Sequence, residues 1–442
     1  MTEPEINEPL LSELPLPSLE KKSSTTGGGA SIAGAVFNVS NSVIGAGIMS
    51  IPATLKVLGV VPAFALILII AVLSSISVDF LLRFTNADVS TTYAGVMSEA
   101  FGRVGSIAFQ ICIMINNFGT LVIYLIIIGD VLPGSQFEGS IHSGVLQEWF
   151  GIHWWNTRVL SLLFTMLFVM LPLVLLRHVE SLRFTSAISV LLAIMFVGIS
   201  SVMAILVLWK GKTQRPRLLP DLASPTSFFE LFTAVPVIVT AFTFHFNVHP
   251  IAAELPKPSS MVSAVRISLV LCSVIYLTVG FFGYLLFGDS IMPDILANFD
   301  KNSGSSMGSL LDDTVRLSYA FHLMLVVPLL NFSLRASIHE FSNKSSPLAS
   351  NTTRFVSLTC FLLGFIYVTA IAIPNIWFFF QFIGSTTAVC LAFIFPGAIA
   401  LRDVHGISTR RDRILAALMI ILAVITSSIA ISTNVISFSR KS

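Results

Sequence analysis

Charged residues are scarce in this chain. Only 11% of its 442 residues are Asp, Glu, Lys or Arg, whereas soluble domains contain about 25%. Hydrophobic residues make up 55%, and the mean hydropathy is +0.88. The composition therefore excludes an ordinary soluble protein and indicates a polytopic membrane protein. We expect one transmembrane domain and no folded soluble domain.

The sequence also lacks the short motifs that carry much of catalytic chemistry. It contains no HExxH helix, no glycine-rich phosphate loop and no CxxC pair, and the Gly-x-Ser-x-Gly nucleophile elbow is missing too. We therefore expect no enzyme, no metal site and no cofactor. The four cysteines fall in apolar runs, which predicts buried thiols and no structural disulfide.

Eleven apolar runs are long enough to cross a membrane, at about 20 residues for each span. They predict an all-α integral membrane protein with eleven transmembrane helices, at 32–55, 60–83, 105–131, 158–177, 184–209, 228–250, 265–288, 313–335, 354–373, 376–400 and 412–433. The domain limits follow as a disordered cytosolic tail over 1–30, a transmembrane domain over 31–435 and a short C-terminal tail over 436–442.

Basic residues indicate the orientation, because cytoplasmic loops carry an excess of Lys and Arg. With the N-terminus in the cytosol, the inner segments hold fifteen of the 25 basic residues. The loop with Lys210, Lys212, Arg215 and Arg217 then falls outside, against the rule. We predict a cytosolic N-terminus, and the odd number of spans places the C-terminus on the opposite side.

The first span contains a polar stretch broken by glycine, from Asn38 to Pro52. Lipid leaves no room for unsatisfied backbone groups, so such a stretch is expected to line a polar cavity. Glycine lets a ligand approach the backbone, although close packing of helices is the alternative explanation. The stretch predicts a broken helix at a binding site, with these candidate ligand contacts: Asn38, Asn41, Ile44, Gly45, Ala46 and Gly47.

The sixth span has a similar interruption. Between Pro236 and Pro250 it contains two histidines and an asparagine. The two breaks lie five spans apart, so the two copies would have opposite topology, as in inverted repeats with a site at the bilayer midplane. We predict that spans 1–5 and 6–10 form a 5+5 inverted repeat and that the eleventh span is an addition. Phe242 and Thr243 are further candidate contacts.

Polar residues of the third span could complete the site. Asn117, Thr120 and Tyr124 share one helical face by their spacing. An amide in the middle of a membrane is costly, so either function or a bond between helices must explain Asn117. For the aromatic residues, ordinary helix packing is the alternative to ligand contact.

Several of these segments carry a resemblance to a known family. They are Phe37 to Ile48 in the first span, Tyr124 to Asp130, His245 to Leu255, and Gly283 to Asp289. The chain resembles the amino acid/auxin permease family, and within it the neutral amino-acid transporters and their vacuolar relatives. The resemblance implies an amino-acid transporter that works by alternating access. The free amides of Ile44 to Ile48 would then bind the substrate carboxylate.

Residues of the first, sixth and eighth spans bear on which ion gradient, if any, drives transport. In sodium-coupled members of the resembling branch, the ion is held by an asparagine matched here by Asn41 and by a hydroxyl on the eighth span, where this chain has Val326. Valine offers sodium no oxygen, which favours proton-coupled or uncoupled transport. His245 and His322 are the candidate proton-coupling residues, and a neutral histidine bonded to a backbone carbonyl is the alternative for each.

The remaining charges are interpreted as structural. Asp130 ends a helix, where interfacial solvation explains it. Glu254 and Arg335 fall at the inner ends of their spans and are predicted to pair as an inner gate. The connection between spans seven and eight is predicted to be a solvated acidic loop with these charged residues: Asp289, Asp294, Asp300, Lys301, Asp312, Asp313 and Arg316.

The expected substrate is a neutral amino acid, because no deep charge is available to pair with a charged side chain. The expected partners are this substrate, protons and the lipid bilayer, with no nucleic acid, and the protein is expected to act as a monomer. Glu8 to Leu11 is similar to an acidic dileucine sorting signal and, with the resemblance, favours a vacuolar or lysosomal-type membrane and export to the cytosol. A sodium-coupled symporter of the plasma membrane and an amino-acid sensor are the alternatives.

Overall fold

The computed structural model describes residues 32–87, 90–137, 140–175, 182–211, 216–222, 225–255, 257–300, 306–341 and 351–441. The predicted tail over 1–30, with the motif from Glu8 to Leu11, lies outside the described residues, as does Lys301. The described chain is almost entirely helical.

The α-helices, in chain order, are α1 (Ile32–Val43), α2 (Gly47–Leu58), α3 (Val60–Ala87), α4 (Tyr93–Val131), α5 (Val145–Phe150), α6 (Arg158–Thr165), α7 (Leu171–Val174), α8 (Leu182–Trp209), α9 (Pro225–Ala241), α10 (Val248–Ala253), α11 (Met261–Phe287), α12 (Ser306–Phe341), α13 (Thr352–Ala372), α14 (Ile376–Ile383), α15 (Phe395–Arg402) and α16 (Arg410–Lys441). Short 3-10 segments lie at Trp154–Asn156, His245–Asn247, Pro258–Ser260, Gly288–Ser290 and Ile295–Asp300, and π-helical segments at Met166–Met170, Gly384–Ala388 and Cys390–Ile394. Between α4 and α5, strands β1 (Gly134–Phe137) and β2 (Ser140–Ser143) form an antiparallel hairpin.

Among the described residues, nine helical segments are long and apolar enough to cross a membrane, and the pair α1 and α2 makes a tenth span that is bent by 59°. The predicted span at 158–177 is present as a shorter apolar helix, Arg158–Val174, with a π-helical turn inside it. The chain is therefore a multi-pass membrane protein. The count of eleven spans and the 5+5 repeat stay predictions.

The third predicted span begins earlier than its apolar run. Helix α4 starts at Tyr93, where the Thr92 hydroxyl accepts a hydrogen bond from the Gly95 amide. Gly102 interrupts this helix with a φ of 65°. The turns of α4 before residue 105 contain the charged residues Glu99 and Arg103, so the apolar run that predicted this span did not extend into them.

Close helix contacts bring the two interrupted spans together. A side chain at Gly47, the first residue of α2, would come within 2.6 Å of the Ala241 Cβ at the end of α9. Helix α11 packs against both α1 and α2. The first turn of α2 and the last turn of α9 therefore meet in the protein core.

The connection between α11 and α12 covers one side of this core. We call residues 288–300 the cap loop and the side on which they lie the outer side. The Ser50 hydroxyl on α2 donates to the Pro293 carbonyl at 2.6 Å, and the Lys56 ammonium donates to the Ile291 carbonyl at 3.4 Å. The cap loop thereby closes over the outer end of α2.

The prediction of a solvated acidic loop here is wrong. Asp289 is largely exposed, but Asp294, Asp312, Asp313 and Arg316 are all buried. The reason is the segment around β2 and α5, which supplies the Ser143 carbonyl and the Glu148 carboxylate as acceptors for the Arg316 guanidinium. The apolar neighbours that bury these charges come from distant parts of the chain.

Two other predicted roles for charges also fail. Arg335 donates to the Val174 carbonyl at 3.1 Å and to the Thr359 hydroxyl at 2.7 Å, and it lies over the Phe355 ring. It therefore does not form the predicted inner gate with Glu254. Asp130 is buried rather than interfacial, and it pairs with Arg158 at 2.5 Å.

Candidate functional site

The break between α1 and α2 leaves three backbone amides without helical partners. The Ile44 amide donates to the Ser40 carbonyl at 2.8 Å, and the Ile48 amide donates to the Gly45 carbonyl at 3.3 Å. Within the described residues, the amides of Gly45, Ala46 and Gly47 donate to no backbone carbonyl. The Ala46 amide donates to the Tyr124 hydroxyl, so the amides without a described acceptor are those of Gly45 and Gly47, a narrower set than the predicted Ile44 to Ile48. These amides form the positive N-terminal end of α2.

The break after α9 presents the opposite polarity. Helix α9 ends at Ala241, and the next helical turn begins at His245. Across the described chain, the carbonyls of Phe242 and Thr243 accept no hydrogen bond from a backbone amide. They extend the negative C-terminal end of α9. Free amides and free carbonyls therefore come from two spans that touch at Gly47 and Ala241.

The Tyr276 hydroxyl on α11 bridges the two breaks. Its oxygen lies 2.7 Å from the Val43 carbonyl oxygen and 2.9 Å from the Ala241 carbonyl oxygen. The Phe242 ring packs edge-on against the Tyr276 ring, with centroids 5.1 Å apart. A tyrosine hydroxyl carries a single proton, so only one of the two carbonyls can receive a full hydrogen bond. The other keeps capacity for a donor from a ligand.

Two more buried tyrosines face the first break. The Tyr319 hydroxyl on α12 donates to the Gly45 carbonyl at 2.7 Å. The Tyr124 hydroxyl on α4 lies against Gly45, where an added Cβ would come within 2.9 Å of it, and it also contacts the Ala46 backbone. Three tyrosines from three different spans therefore enclose the break.

Sequence reasoning found Tyr124 and missed Tyr276 and Tyr319. A signal existed, because the chain has only six tyrosines and a buried tyrosine hydroxyl usually finds a hydrogen-bond partner. Both missed residues lie in long apolar spans, where no pattern distinguishes a tyrosine that faces a site from one that packs.

The other predicted contact residues differ in burial and in hydrogen-bond partner. Asn38 is exposed on α1, and Asn41 is half-buried one turn before the break. Thr243 is buried, and its hydroxyl donates to the Val239 carbonyl of its own span at 2.7 Å. The Asn117 amide group donates to the Ser333 hydroxyl on α12 at 3.1 Å, which is a bond between helices.

The first candidate coupling histidine, His245, lies directly after the second break. Its Nε2 is 2.6 Å from the Ser77 hydroxyl on α3, and its Nδ1 is buried without a partner among the described residues. His249, one turn further, makes a similar contact with Thr85 at 2.8 Å. Two histidines of one span thus each contact a hydroxyl of α3.

The second candidate, His322, lies on α12 one turn after Tyr319. Its Nδ1 is 2.7 Å from the Ser189 carbonyl oxygen, which fixes the proton on Nδ1 because a carbonyl can only accept. Its Nε2 is buried with no described partner, and its ring lies 4.8 Å from the Tyr319 ring. Val326, one turn later, packs against the apolar core.

A family profile described as "Transmembrane amino acid transporter protein" matches residues 28–439. The chain belongs to this family. The match confirms the resemblance to the amino acid/auxin permeases and indicates a transporter rather than an enzyme.

Similar proteins support the same assignment. The chain is 60% identical to amino acid transporter AVT6C of Arabidopsis thaliana, covering 95% of this chain and 96% of that protein. It is 58% identical to amino acid transporter AVT6D of the same plant, with 98% of each covered. It is 27% identical to sodium-coupled neutral amino acid transporter 7 of Danio rerio, with 84% and 78% covered.

A solved structure shares the fold at low identity. The manganese transporter of Eremococcus coleocola, in complex with an aromatic bis-isothiourea substituted compound, aligns with a TM-score of 0.60 over 96% of this chain and 92% of that one. The two sequences are 15% identical. The likeness therefore concerns the arrangement of the helices alone.

Tyr276→Phe removes the hydroxyl that bridges the breaks and keeps the ring. A buried acceptor that loses its donor costs about 1–3 kcal/mol, so we expect amino-acid uptake into proteoliposomes to fall by about tenfold and the thermal midpoint of the purified protein to decrease. Tyr367→Phe is the matched control, since the Tyr367 hydroxyl donates to the Val159 carbonyl away from the breaks. Equal uptake by wild type and Tyr276→Phe would show that the bridge does not matter.

Proposed function

We propose that this protein is a secondary active transporter that moves neutral amino acids across a membrane by alternating access. The observation that carries the proposal is the opposite polarity of the two breaks. The free amides of Gly45 and Gly47 suit a carboxylate, because they lie at a positive helix end. The carbonyls of Phe242 and Thr243 suit an ammonium group. An α-amino acid carries both groups on a single carbon atom.

A neutral side chain fits the placement of the buried charges. Asp130 is paired with Arg158, and Arg316 is paired with Glu148. The residues whose contacts with the break are described above are tyrosines, glycines and apolar residues. A charged substrate side chain would have no evident counter-ion among them, and an unpaired buried charge is strongly unfavourable.

The packing of the outer side supports alternating access. The cap loop contacts α2 through Ser50 and Lys56. Arg217 links α2 to the cap loop, because it donates to the Lys56 carbonyl at 3.2 Å and to the Asp289 carboxylate at 2.8 Å. The cap loop and Arg217 thus cover the outer side of the site, and their opening would give access from that side.

Transport is either driven by protons, with His245 and His322 as candidate coupling residues, or uncoupled. Val326 adds no side-chain oxygen for sodium, which supports this choice. Sodium-coupled transport at the plasma membrane is the second candidate, favoured by the name of the Danio rerio relative. The motif from Glu8 to Leu11 supports a vacuolar or lysosomal-type membrane and export into the cytosol.

The proposal is tested by uptake of radiolabelled amino acids into proteoliposomes, with proton and sodium gradients imposed separately. We expect neutral amino acids to be taken up and a sodium gradient to have no effect. Accumulation driven by sodium would overturn the coupling assignment and leave the site intact. Binding of an amino acid without uptake would instead indicate a sensor.

Gly45→Ala tests the backbone site. The added methyl group would come within 2.9 Å of the Tyr124 hydroxyl and narrow the approach to the free amides, so we expect the KM for the substrate to rise by about tenfold or more, at least about 1.4 kcal/mol of binding. Gly364→Ala is the control, because a Cβ at Gly364 meets nothing within 4 Å. An unchanged KM in Gly45→Ala would remove the α2 amides from the site.

His245→Gln tests proton coupling. Glutamine can keep a hydrogen bond to Ser77 but does not titrate near neutral pH, so we expect uptake to persist and its dependence on pH to flatten. Initial rates measured between pH 5 and pH 8, with His153→Gln at an exposed position as control, provide the check. A wild-type pH profile in the variant would assign His245 a purely structural role.

A further inference from the structure

Asp294 of the cap loop is a buried carboxylate that lacks a counter-ion. Its residue is 2% exposed. The Oδ1 atom accepts a hydrogen bond from the Leu296 amide at 3.0 Å, and the Oδ2 atom is buried with no described partner. An oxygen in this position can be stabilised by a proton of its own. Two other acids nearby, Asp130 and Glu148, each pair with an arginine instead.

The neighbouring guanidinium groups are already paired with other acids, and the Lys56 ammonium donates to the Ile291 carbonyl. Arg158 pairs with Asp130 at 2.5 Å, and Arg316 pairs with Glu148 at 2.7 Å. The elements packed around Asp294 present these charged or titratable groups: Lys56 on α2, Asp130 on α4, His142 on β2, Glu148 on α5, Arg158 on α6, and Asp312, Asp313 and Arg316 on α12. Carboxylates outnumber guanidinium groups in this cluster, and among the described residues Asp294 forms no ion pair.

We propose that Asp294 is a proton-binding residue of the outer gate, and that the cap loop closes over the site with this carboxyl group protonated. An isolated buried carboxylate is strongly unfavourable, and such groups become neutral instead. Burial raises the pKa of Asp294 well above the usual value of an aspartate, and the charge of Asp130 raises it further, against smaller opposing effects of the Leu296 amide, Arg158 and Arg316.

The position of Asp294 connects the proton to the substrate site. Pro293, its neighbour in sequence, accepts the hydrogen bond from Ser50 on α2. Asp294 also lies within electrostatic reach of Tyr319, whose hydroxyl donates to the Gly45 carbonyl. Opening of the cap loop would expose Asp294 to water and at the same time release the outer end of α2.

The direction of the pH effect follows from linkage. The closed gate holds Asp294 at a raised pKa, and in the open gate the hydrated carboxyl group returns to an ordinary value of about 3.9. The closed state is therefore fully favoured only below the open-state value, and the advantage is lost as the pH rises through the raised closed-state value. Acid on the outer side closes the gate.

The inference rests on the alternating access of the proposed function but not on the identity of the substrate. We therefore choose a measurement made without substrate: hydrogen–deuterium exchange of residues 288–300 in the purified full-length protein, between pD 5 and pD 7.5, corrected for the intrinsic exchange rate. We expect protection in the wild type to fall with rising pD by up to about tenfold for each unit, as release of one proton predicts.

Asp294→Asn imitates the protonated carboxyl group, so the variant is expected to stay protected at both ends of this range. Glu230→Gln, which removes an exposed carboxylate from α9, is the control and is expected to follow the wild type. Protection that does not depend on pD in the wild type would overturn the proposal, even if the variant does not fold. A wild-type dependence retained in a folded Asp294→Asn variant would overturn it as well.

Discussion

The hydrogen bonds of the Tyr276 hydroxyl to Val43 and Ala241 are the contacts on which the arrangement of the two broken spans depends. A helix that is interrupted inside a membrane leaves amides and carbonyls that lipid cannot satisfy. One hydroxyl on α11 lies within hydrogen-bond distance of a carbonyl from each break and holds the two ends together. Because it has one proton for two acceptors, it leaves part of their capacity for a ligand.

The proposed selectivity for one class of ligand rests on the opposite polarity of the two breaks. In the proposed function, the free amides of Gly45 and Gly47 bind a carboxylate and the carbonyls of Phe242 and Thr243 bind an ammonium group, without any charged side chain. Such a site binds the part that all α-amino acids share. Discrimination among side chains is then left to the surrounding aromatic residues, among them Tyr124 and Phe242, which lie beside the breaks.

The sequence allowed the two breaks to be predicted, because glycine, proline and histidine inside an apolar run conflict with a regular membrane helix. The Gly45–Gly47 segment could be predicted almost to the residue. The bridge by Tyr276 could not be predicted, since a tyrosine in an apolar span gives the same sequence pattern whether it faces a site or packs against another helix. Its role depends on where α11 crosses the first span, and that is a property of tertiary packing.

The errors concerned charges, and they have one physical cause. Asp294 and Arg316 follow an ordinary polar pattern between two spans, and elements distant in the sequence, among them β2, α4 and α5, bury them. The predicted pair of Glu254 and Arg335 likewise rested on both residues falling at inner helix ends. Pairing depends on distances of a few ångströms that spacing along the chain does not determine, so Arg335 binds Thr359 and the Val174 carbonyl instead.

The central claim, that the backbone of the two breaks recognises both charged groups of an amino acid, is tested most directly by competition with modified substrates. Uptake of a transported neutral amino acid is measured in the presence of the same amino acid, its carboxamide, which lacks the carboxylate, and its N-acetyl derivative, which lacks the ammonium group. The account predicts that only the unmodified amino acid competes. Competition by either derivative at equal concentration would contradict it.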